Sequence, residues 1–313
     1  MQCVVTGASG FVGQHLLRRL ATHGHGGIAT GRTPPADLPA GWTGVARSDL
    51  LRDTPRDCEA VIHLEVKQHV PRPTAADAEA FEAVNVAGAR DWLAWAARHG
   101  LQRFVLASSI KAAHPDGPYG RSKARAEEAA REWTAADPAR LATILRPAPV
   151  YGPGNEANLA AFVRQVIAGR PCLVGSGRVR KSVVSVGNVA AAIEFATSRQ
   201  ATGCAVFTVT DPDTLSLRDL ATLIAEIAGS PPPRSIPRLL ARCAAPIGDL
   251  VATITGREMP LTTPRLRALD EESDFSSSDL VAAGFQHPQT TREGLAELVG
   301  WLRGGLEDRL QPV

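Results

Sequence analysis

Within its first thirteen residues the chain sets a short apolar run, Gln2-Cys3-Val4-Val5, directly before Thr6-Gly7-Ala8-Ser9-Gly10-Phe11-Val12-Gly13. Gln14-His15-Leu16-Leu17-Arg18-Arg19-Leu20 then carries apolar residues at helical spacing. Strand, glycine loop and helix in that order form the setting that a dinucleotide-binding loop requires. Gly7 permits a tight turn, Gly10 lets the backbone approach a pyrophosphate, and Gly13 lets the helix close on the strand. The helix N-terminus offers free N–H groups and a positive dipole end to the phosphates. Ser9, Phe11 and Val12 complete the loop and first turn against which such a cofactor would lie.

The pattern repeats along the chain. Strand candidates at Gly27-Ile28-Ala29, Ala60-Val61-Ile62-His63, Phe104-Val105-Leu106 and Ala142-Thr143-Ile144-Leu145 alternate with helical stretches. That alternation predicts an α/β fold with a doubly wound parallel sheet of the Rossmann type. Beyond Pro147 the texture changes to Pro- and Gly-punctuated segments, with a break at Ser230-Pro231-Pro232-Pro233 and further strands at 183–186 and 205–209.

Charge and cysteine usage exclude several functions. A net charge of +2 over 313 residues gives no electrostatic case for nucleic acid. Five cysteines scattered at 3, 58, 172, 204 and 243, with no Cys-x-x-Cys or His/Cys cluster, suggest reduced thiols and no metal. No apolar run is long enough to cross a bilayer. The first strand starts at residue 2, which leaves no room for a signal peptide, so the expectation is a soluble cytoplasmic protein with no membrane partner.

The chemistry concentrates later. Val105-Leu106-Ala107-Ser108-Ser109-Ile110-Lys111 reads as a strand ending in a serine pair, and Pro118-Tyr119-Gly120-Arg121-Ser122-Lys123 opens a helix. Tyr119 and Lys123 share a helix face one turn apart. An ammonium beside a phenol favours the phenolate and lowers the tyrosine pKa. With a serine hydroxyl holding a substrate oxygen, the three groups make a proton-transfer device aimed at an alcohol or ketone.

Cofactor choice turns on the end of the second strand. An acidic side chain there selects NAD through the ribose 2′-hydroxyl, whereas an arginine meets a 2′-phosphate. The run Ile28-Ala29-Thr30-Gly31-Arg32-Thr33 has no acid before Asp37. Arg32 therefore favours NADP(H) and leaves NAD(H) open.

Thr6-Gly7-x-x-Gly10-x-x-Gly13, Ser109, Tyr119 and Lys123 together resemble the extended short-chain dehydrogenase/reductases, in the NAD-dependent epimerase/dehydratase branch that acts on nucleotide sugars. The likeness extends to Val61-Ile62-His63-Leu64, Asn85-Val86-x-Gly88, Leu145-Arg146-Pro147 and Val150-Tyr151-Gly152-Pro153. It implies that Ser109 holds the reacting oxygen, though Ser108 and Ser109 could exchange places, and that Asn85 positions Lys123 through backbone or water. It implies that Asp49 and Leu50 meet the adenine edge, and that Leu64, Lys123 and Pro147 line the cofactor. Tyr151, Asn158, Lys111, Arg180 and Lys181 become the substrate contacts, Lys181 standing where the family has an arginine for a diphosphate. Residues 1–147 plus about 182–210 would form the dinucleotide-binding domain, and 148–181 plus about 211–313 the smaller C-terminal α/β substrate lobe. A homodimer through the helices near Asn85 and Tyr119 is also implied.

Two departures stand out. The loop from Ser109 to Tyr119 is short, and Glu65 follows Leu64 where relatives carry a small residue. Glu65 is either an added acid/base or substrate contact, or a structural partner of Lys67 or Lys111. The expected function is an NAD(P)-dependent epimerase or 4-ketoreductase acting at C4 of a nucleotide sugar. Ile110-Lys111 replaces the acidic pair that dehydratases use. An NADPH-dependent reductase of a non-nucleotide ketone and a non-catalytic cofactor-binding regulator are the alternatives.

Overall fold

The computed structural model describes the chain except residues 53–57, 71–72, 157–158, 256–261, 264–265, 267–268, 270 and 311–313, and except the side chains of 172, 254 and 305–310. The backbone divides into two units: 1–150, 186–209 and 277–288 form the first, and 151–185, 210–276 and 289–313 the second.

In the first unit β1 (Gln2–Thr6), β2 (Gly26–Gly31), β3 (Trp42–Ala46), β4 (Ala60–His63), β5 (Arg103–Ala107), β6 (Leu141–Pro147) and β7 (Gly203–Val209) form one sheet in the order β7-β6-β5-β4-β1-β2-β3. Every pairing in it is parallel. The predicted doubly wound sheet is therefore the one observed. Its central strands, apolar on both faces, need helices above and below.

Helices α1 (Phe11–Thr22), α2 (Arg47–Leu50), α3 (Ala75–Phe81), α4 (Gly88–Arg98), α5 (Pro118–Ala135) and, from further along the chain, the helix Val186–Ser198 supply that cover. Alanines at 126, 129 and 130 keep one face of α5 thin, so Trp92, Trp95, Trp133 and Phe104 fill the layer between sheet and helices. On the other face Arg19 of α1 donates to Glu194 of the helix 186–198 at 2.6 Å. The segment 277–288, placed by the sequence pattern in the C-terminal lobe, belongs to this unit, where Phe285 stacks edge-on against Phe195 at 5.8 Å.

The second unit has its own core, in which Val163, Val166, Leu173, Leu220, Ile224, Leu295 and Leu298 are buried together. No helix among the described residues is long and apolar enough to cross a membrane.

Candidate active site

The loop between β1 and α1 is shaped by what it lacks. Gly7 has φ +65, and a Cβ there would lie 2.8 Å from the Glu65 amide nitrogen. A Cβ on Gly13 would lie 2.5 Å from the Gly7 carbonyl oxygen, and one on Gly10 3.1 Å from the same atom. Gly10 is the N-cap of α1 and brings no side chain to its first turn. Ser9 and Gly10 are exposed, and Phe11 and Val12 are half-buried. Uncapped N–H groups on a backbone stripped of side chains suit an anion of diphosphate size.

Next to the loop the strand ends are tied together. Thr6 Oγ1 accepts from the Leu64 and Glu65 amides at 3.2 and 3.3 Å and bonds His63 Nδ1 at 2.9 Å. Burial holds His63 down at about 3, so this ring is neutral and structural. Leu64 is buried beside it. At the β2 end a cavity of about 290 Å³ is lined by Ser9, Gln14, Arg18, Asp37 and Leu38. Arg32 is exposed just beyond β2. Arg18, a residue the sequence pattern did not single out, faces this cavity from α1. Asp49 is exposed, and Leu50 lies in the apolar core with its carbonyl accepting from Trp95 Nε1 at 3.0 Å.

The serine pair separates cleanly. Ser108 is buried and donates to Glu127 Oε1 at 2.6 Å. Ser109 shares a hydrogen bond with Tyr119 and caps the turn at Lys111 through its backbone amide at 3.3 Å. Pro118 at the first position of α5 presets φ for the helix that carries Tyr119 and Lys123. The Tyr119 ring is held edge-on by His69 at 5.6 Å and Phe81 at 5.7 Å, so His69 joins the site without any signal in the sequence beyond its residue type. Burial, and after it Lys111, lowers the His69 pKa. The short loop sits directly on α5, because a Cβ at Gly120 would come within 2.7 Å of the Lys111 carbonyl. Lys111 itself is exposed.

Lys123 is buried, and its Nζ donates to the Ala107 carbonyl at 2.9 Å. Burial pulls its ammonium down to about 8, against the Glu127 carboxylate, which pushes it up. The expected lowering of Tyr119 by Lys123 is not what this arrangement gives. Burial raises the phenol, opposed by the bond with Ser109, because the ammonium is spent on the strand end instead.

Asn85 lies in one turn of π-helical geometry, Glu82–Ala87, between α3 and α4. Such turns recur at functional sites. Its Oδ1 accepts from the Lys67 amide at 2.8 Å, while Nδ2 donates to the Lys67 carbonyl at 3.3 Å and to Ser122 Oγ at 2.9 Å. It therefore pins the chain after β4 to α5, on which Ser122 directly precedes Lys123. Glu127, also missed, is a buried hub: Ser108, Arg146 and Arg131 all donate to it, Arg146 through Nε at 2.8 Å. Its spacing of four from Lys123 and eight from Tyr119 was the available signal.

Several expected substrate contacts are engaged elsewhere. The Glu65 carboxylate accepts from Trp92 Nε1 at 3.2 Å and lies 3.2 Å from Arg47 Nε, so it pairs with neither Lys67 nor Lys111. Lys67 pairs with Asp77 at 3.3 Å. Tyr151 is buried and donates its hydroxyl to Asp211 at 2.6 Å. Arg180 Nε pairs with Asp274 at 3.0 Å, and Lys181 Nζ donates to the Glu271 carbonyl. Asn158 lies outside the described residues, and Pro147 is half-buried at the end of β6. Among the described residues no cluster of His, Cys, Asp and Glu could hold a metal.

A family model described as the NAD dependent epimerase/dehydratase family matches residues 3–207. The chain is 28% identical over 227 residues to N-acetyl-alpha-D-glucosaminyl-diphospho-ditrans,octacis-undecaprenol 4-epimerase of Escherichia coli O157:H7, covering 68% of this chain and 69% of that one. It is also 28% identical over 261 residues to 2-alkyl-3-oxoalkanoate reductase of Stenotrophomonas maltophilia, covering 74% and 77%. Among solved structures, MoeE5 in complex with UDP-glucose and NAD aligns with a TM-score of 0.70 at 24% identity, over 98% of this chain and all of that one.

Proposed function

The chain belongs to the NAD-dependent epimerase/dehydratase family, and from that premise we propose that it interconverts a secondary alcohol and a ketone at C4 of a nucleotide-linked sugar. The observation that carries this reading is the Ser109–Tyr119 hydrogen bond beside buried Lys123. A bound nicotinamide dinucleotide supplies the hydride acceptor and donor. Gly7, Gly10 and Gly13 leave room for its diphosphate, and the uncapped start of α1 binds it.

The protein's own groups handle the proton. Ser109 holds the reacting oxygen in place by donating to it. Tyr119 Oη gives a proton to that oxygen as a ketone becomes an alcohol, and takes one in the reverse direction. His69 and Phe81 fix the ring so that only the hydroxyl can reach the substrate. The Lys123 ammonium, buried at the base of α5, adds positive potential where the alkoxide develops. An epimerase uses this cycle in both directions on one substrate, and a 4-ketoreductase uses it once.

For the cofactor we propose NADP(H), on Arg32 beyond β2 and Arg18 on the neighbouring cavity, with Asp37 on that cavity as the feature favouring NAD(H).

The test is turnover of a panel of UDP- and dTDP-sugars with each cofactor, in wild type and Tyr119→Phe. C4-epimerised or reduced product from wild type, lost in the variant, supports the assignment. Equal activity in both removes Tyr119 from the chemistry, and no turnover by wild type favours a cofactor-binding regulator.

A second reading has its own support. Tyr151, Arg180 and Lys181 are all engaged within their unit, which leaves the diphosphate recognition expected of a nucleotide sugar without a free cation at these positions. A reductase of a non-nucleotide ketone fits that observation, and the reductase among the relatives is named for such a substrate. Turnover of alkyl ketones with NADPH, and none of nucleotide sugars, would select it.

A further inference from the structure

Three consecutive residues at the end of β5 are each held by α5. The Ala107 carbonyl accepts from Lys123 Nζ at 2.9 Å, Ser108 donates to Glu127 Oε1 at 2.6 Å, and Ser109 shares a hydrogen bond with Tyr119. Tyr119, Lys123 and Glu127 follow one another at spacings of four, so they share one face of the helix. Tyr119 and Lys123 carry the proton chemistry, and Glu127 lies one turn beyond them.

The Glu127 carboxylate is saturated and 1% exposed. Oε1 accepts from Ser108 and from Arg146 Nε at 2.8 Å, and Oε2 accepts from Arg146 Nη2 at 2.5 Å and Arg131 Nη2 at 3.2 Å. The Arg146 guanidinium thus closes on both oxygens as a fork. Arg146 sits at the end of β6, next to Pro147. One side chain therefore joins the ends of two strands to the helix that carries Tyr119. A buried ion pair is often no more stabilising than apolar packing of the same volume, so stability is a weak reason for this one.

A better reason is Lys123. Its ammonium is buried among few groups. His63 faces it from β4 as a neutral ring, the Ala107 carbonyl meets it from β5, and Tyr119 and Glu127 lie on either side of it along α5. Burial pulls the ammonium down to about 8, and Glu127 is the charge that opposes this. Around Glu127 itself stand Arg131, Arg146 and Cys204 of β7, whose thiol burial pushes up, while Glu128 pairs with Arg131 at 3.3 Å. A neutral side chain at 127 would remove the one charge that holds the proton on Lys123.

We propose that Glu127 is a positioning residue for the reaction. Through Ser108 and Arg146 it sets α5 against the strand ends, and across one helical turn it holds the Lys123 charge beside Tyr119. This rests on Tyr119 and Ser109 handling the proton, and not on which ketone or alcohol they meet.

The test uses the small number of lysines in the chain: Lys67, Lys111, Lys123 and Lys181 are all there are. Lysine labelled with carbon-13 at Cε gives one NMR signal for each, and the signal missing in Lys123→Met identifies Lys123. Titration of the full chain should place Lys123 near pH 8 in wild type and at least about one unit lower in Glu127→Gln. Ser108→Ala takes a hydrogen bond from the carboxylate but keeps its charge, so it should leave the Lys123 titration in place. On whichever ketone wild type reduces, kcat of Glu127→Gln at pH 8 should fall at least about tenfold with KM within about threefold. The deficit should narrow as pH falls, because protonation restores the ammonium. Should Glu127→Gln fail to fold, Glu127→Gln/Arg146→Met removes the uncompensated guanidinium as well, and the Lys123 titration should move in the same direction. An unmoved titration in the folded variant overturns the proposal and leaves Glu127 a residue of the fold. So does a shifted titration with kcat within about twofold of wild type at every pH. No turnover by wild type of any sugar or ketone would instead defeat the proposed function, and the Lys123 titration then decides this proposal alone.

Discussion

Ser108 donates its hydroxyl to the buried Glu127 carboxylate at 2.6 Å, and this contact distinguishes two serines that are neighbours in sequence. Adjacent residues at a strand end point to opposite sides. One hydroxyl is therefore committed to the network of Glu127, Arg146 and Arg131, and the other meets Tyr119.

The two serines should separate in kinetics and stability. Ser109→Ala should lower kcat by about 100-fold, with an unchanged melting temperature, through loss of a donor to the reacting oxygen. Ser108→Ala should cost about 1 kcal/mol of stability by leaving Glu127 one donor short, with kcat within a fewfold of wild type. Steady-state kinetics and thermal melts of both variants check this, and interchanged phenotypes would assign the catalytic position to Ser108.

Lys123 makes stability depend on pH. Burial holds it at about 8 in the folded chain against 10.5 for an exposed lysine. Between these values the unfolded chain binds more protons, so this residue's contribution to stability rises with pH across that window. Its penalty is fully present below about pH 8 and is gone above about 10.5. Urea unfolding of the apo chain should therefore show wild type gaining on Lys123→Met as pH rises through the window. A constant difference would mean that the ammonium is not desolvated.

Glu65 should behave as a structural residue. Its carboxylate joins Trp92 of α4 to Arg47 of α2. Glu65→Ala should cost about 1 kcal/mol, or a few degrees of melting temperature, with kcat within about twofold of wild type. A tenfold fall in kcat for Glu65→Gln without a change in melting temperature would return the carboxylate to the chemistry.

Cofactor preference should move with two opposed charges. Arg32→Ala should weaken NADPH at least about tenfold and leave NADH nearly unchanged, since only the former carries a 2′-phosphate for the guanidinium. Asp37→Asn should improve NADPH, because a carboxylate on the cavity wall repels that phosphate. Fluorescence titration of both cofactors measures this, and equal effects of Arg32→Ala on the two would remove Arg32 from the site.

The sequence by itself determined the sheet and the place of the chemistry. Alternating apolar runs and helical periods depend on backbone geometry within a few residues, so β1, the glycine loop, α1 and the spacing of Tyr119 and Lys123 were readable locally. The glycines in particular announce close backbone approaches that no larger residue permits, as the 2.5 Å contact facing Gly13 shows. What a side chain touches was decided only by the tertiary structure, because its partner is far away in sequence. Glu65 meets Trp92, Asn85 meets Lys67 and Ser122, and Lys123 meets Ala107, so the pKa expected for Tyr119 from spacing alone came out in the opposite direction. The outward face of the helix Arg238–Thr255 is the same kind of result. Its composition suits a buried helix as well as an exposed one, and only the packing of Ala241 and Ala245 shows which side was left to solvent.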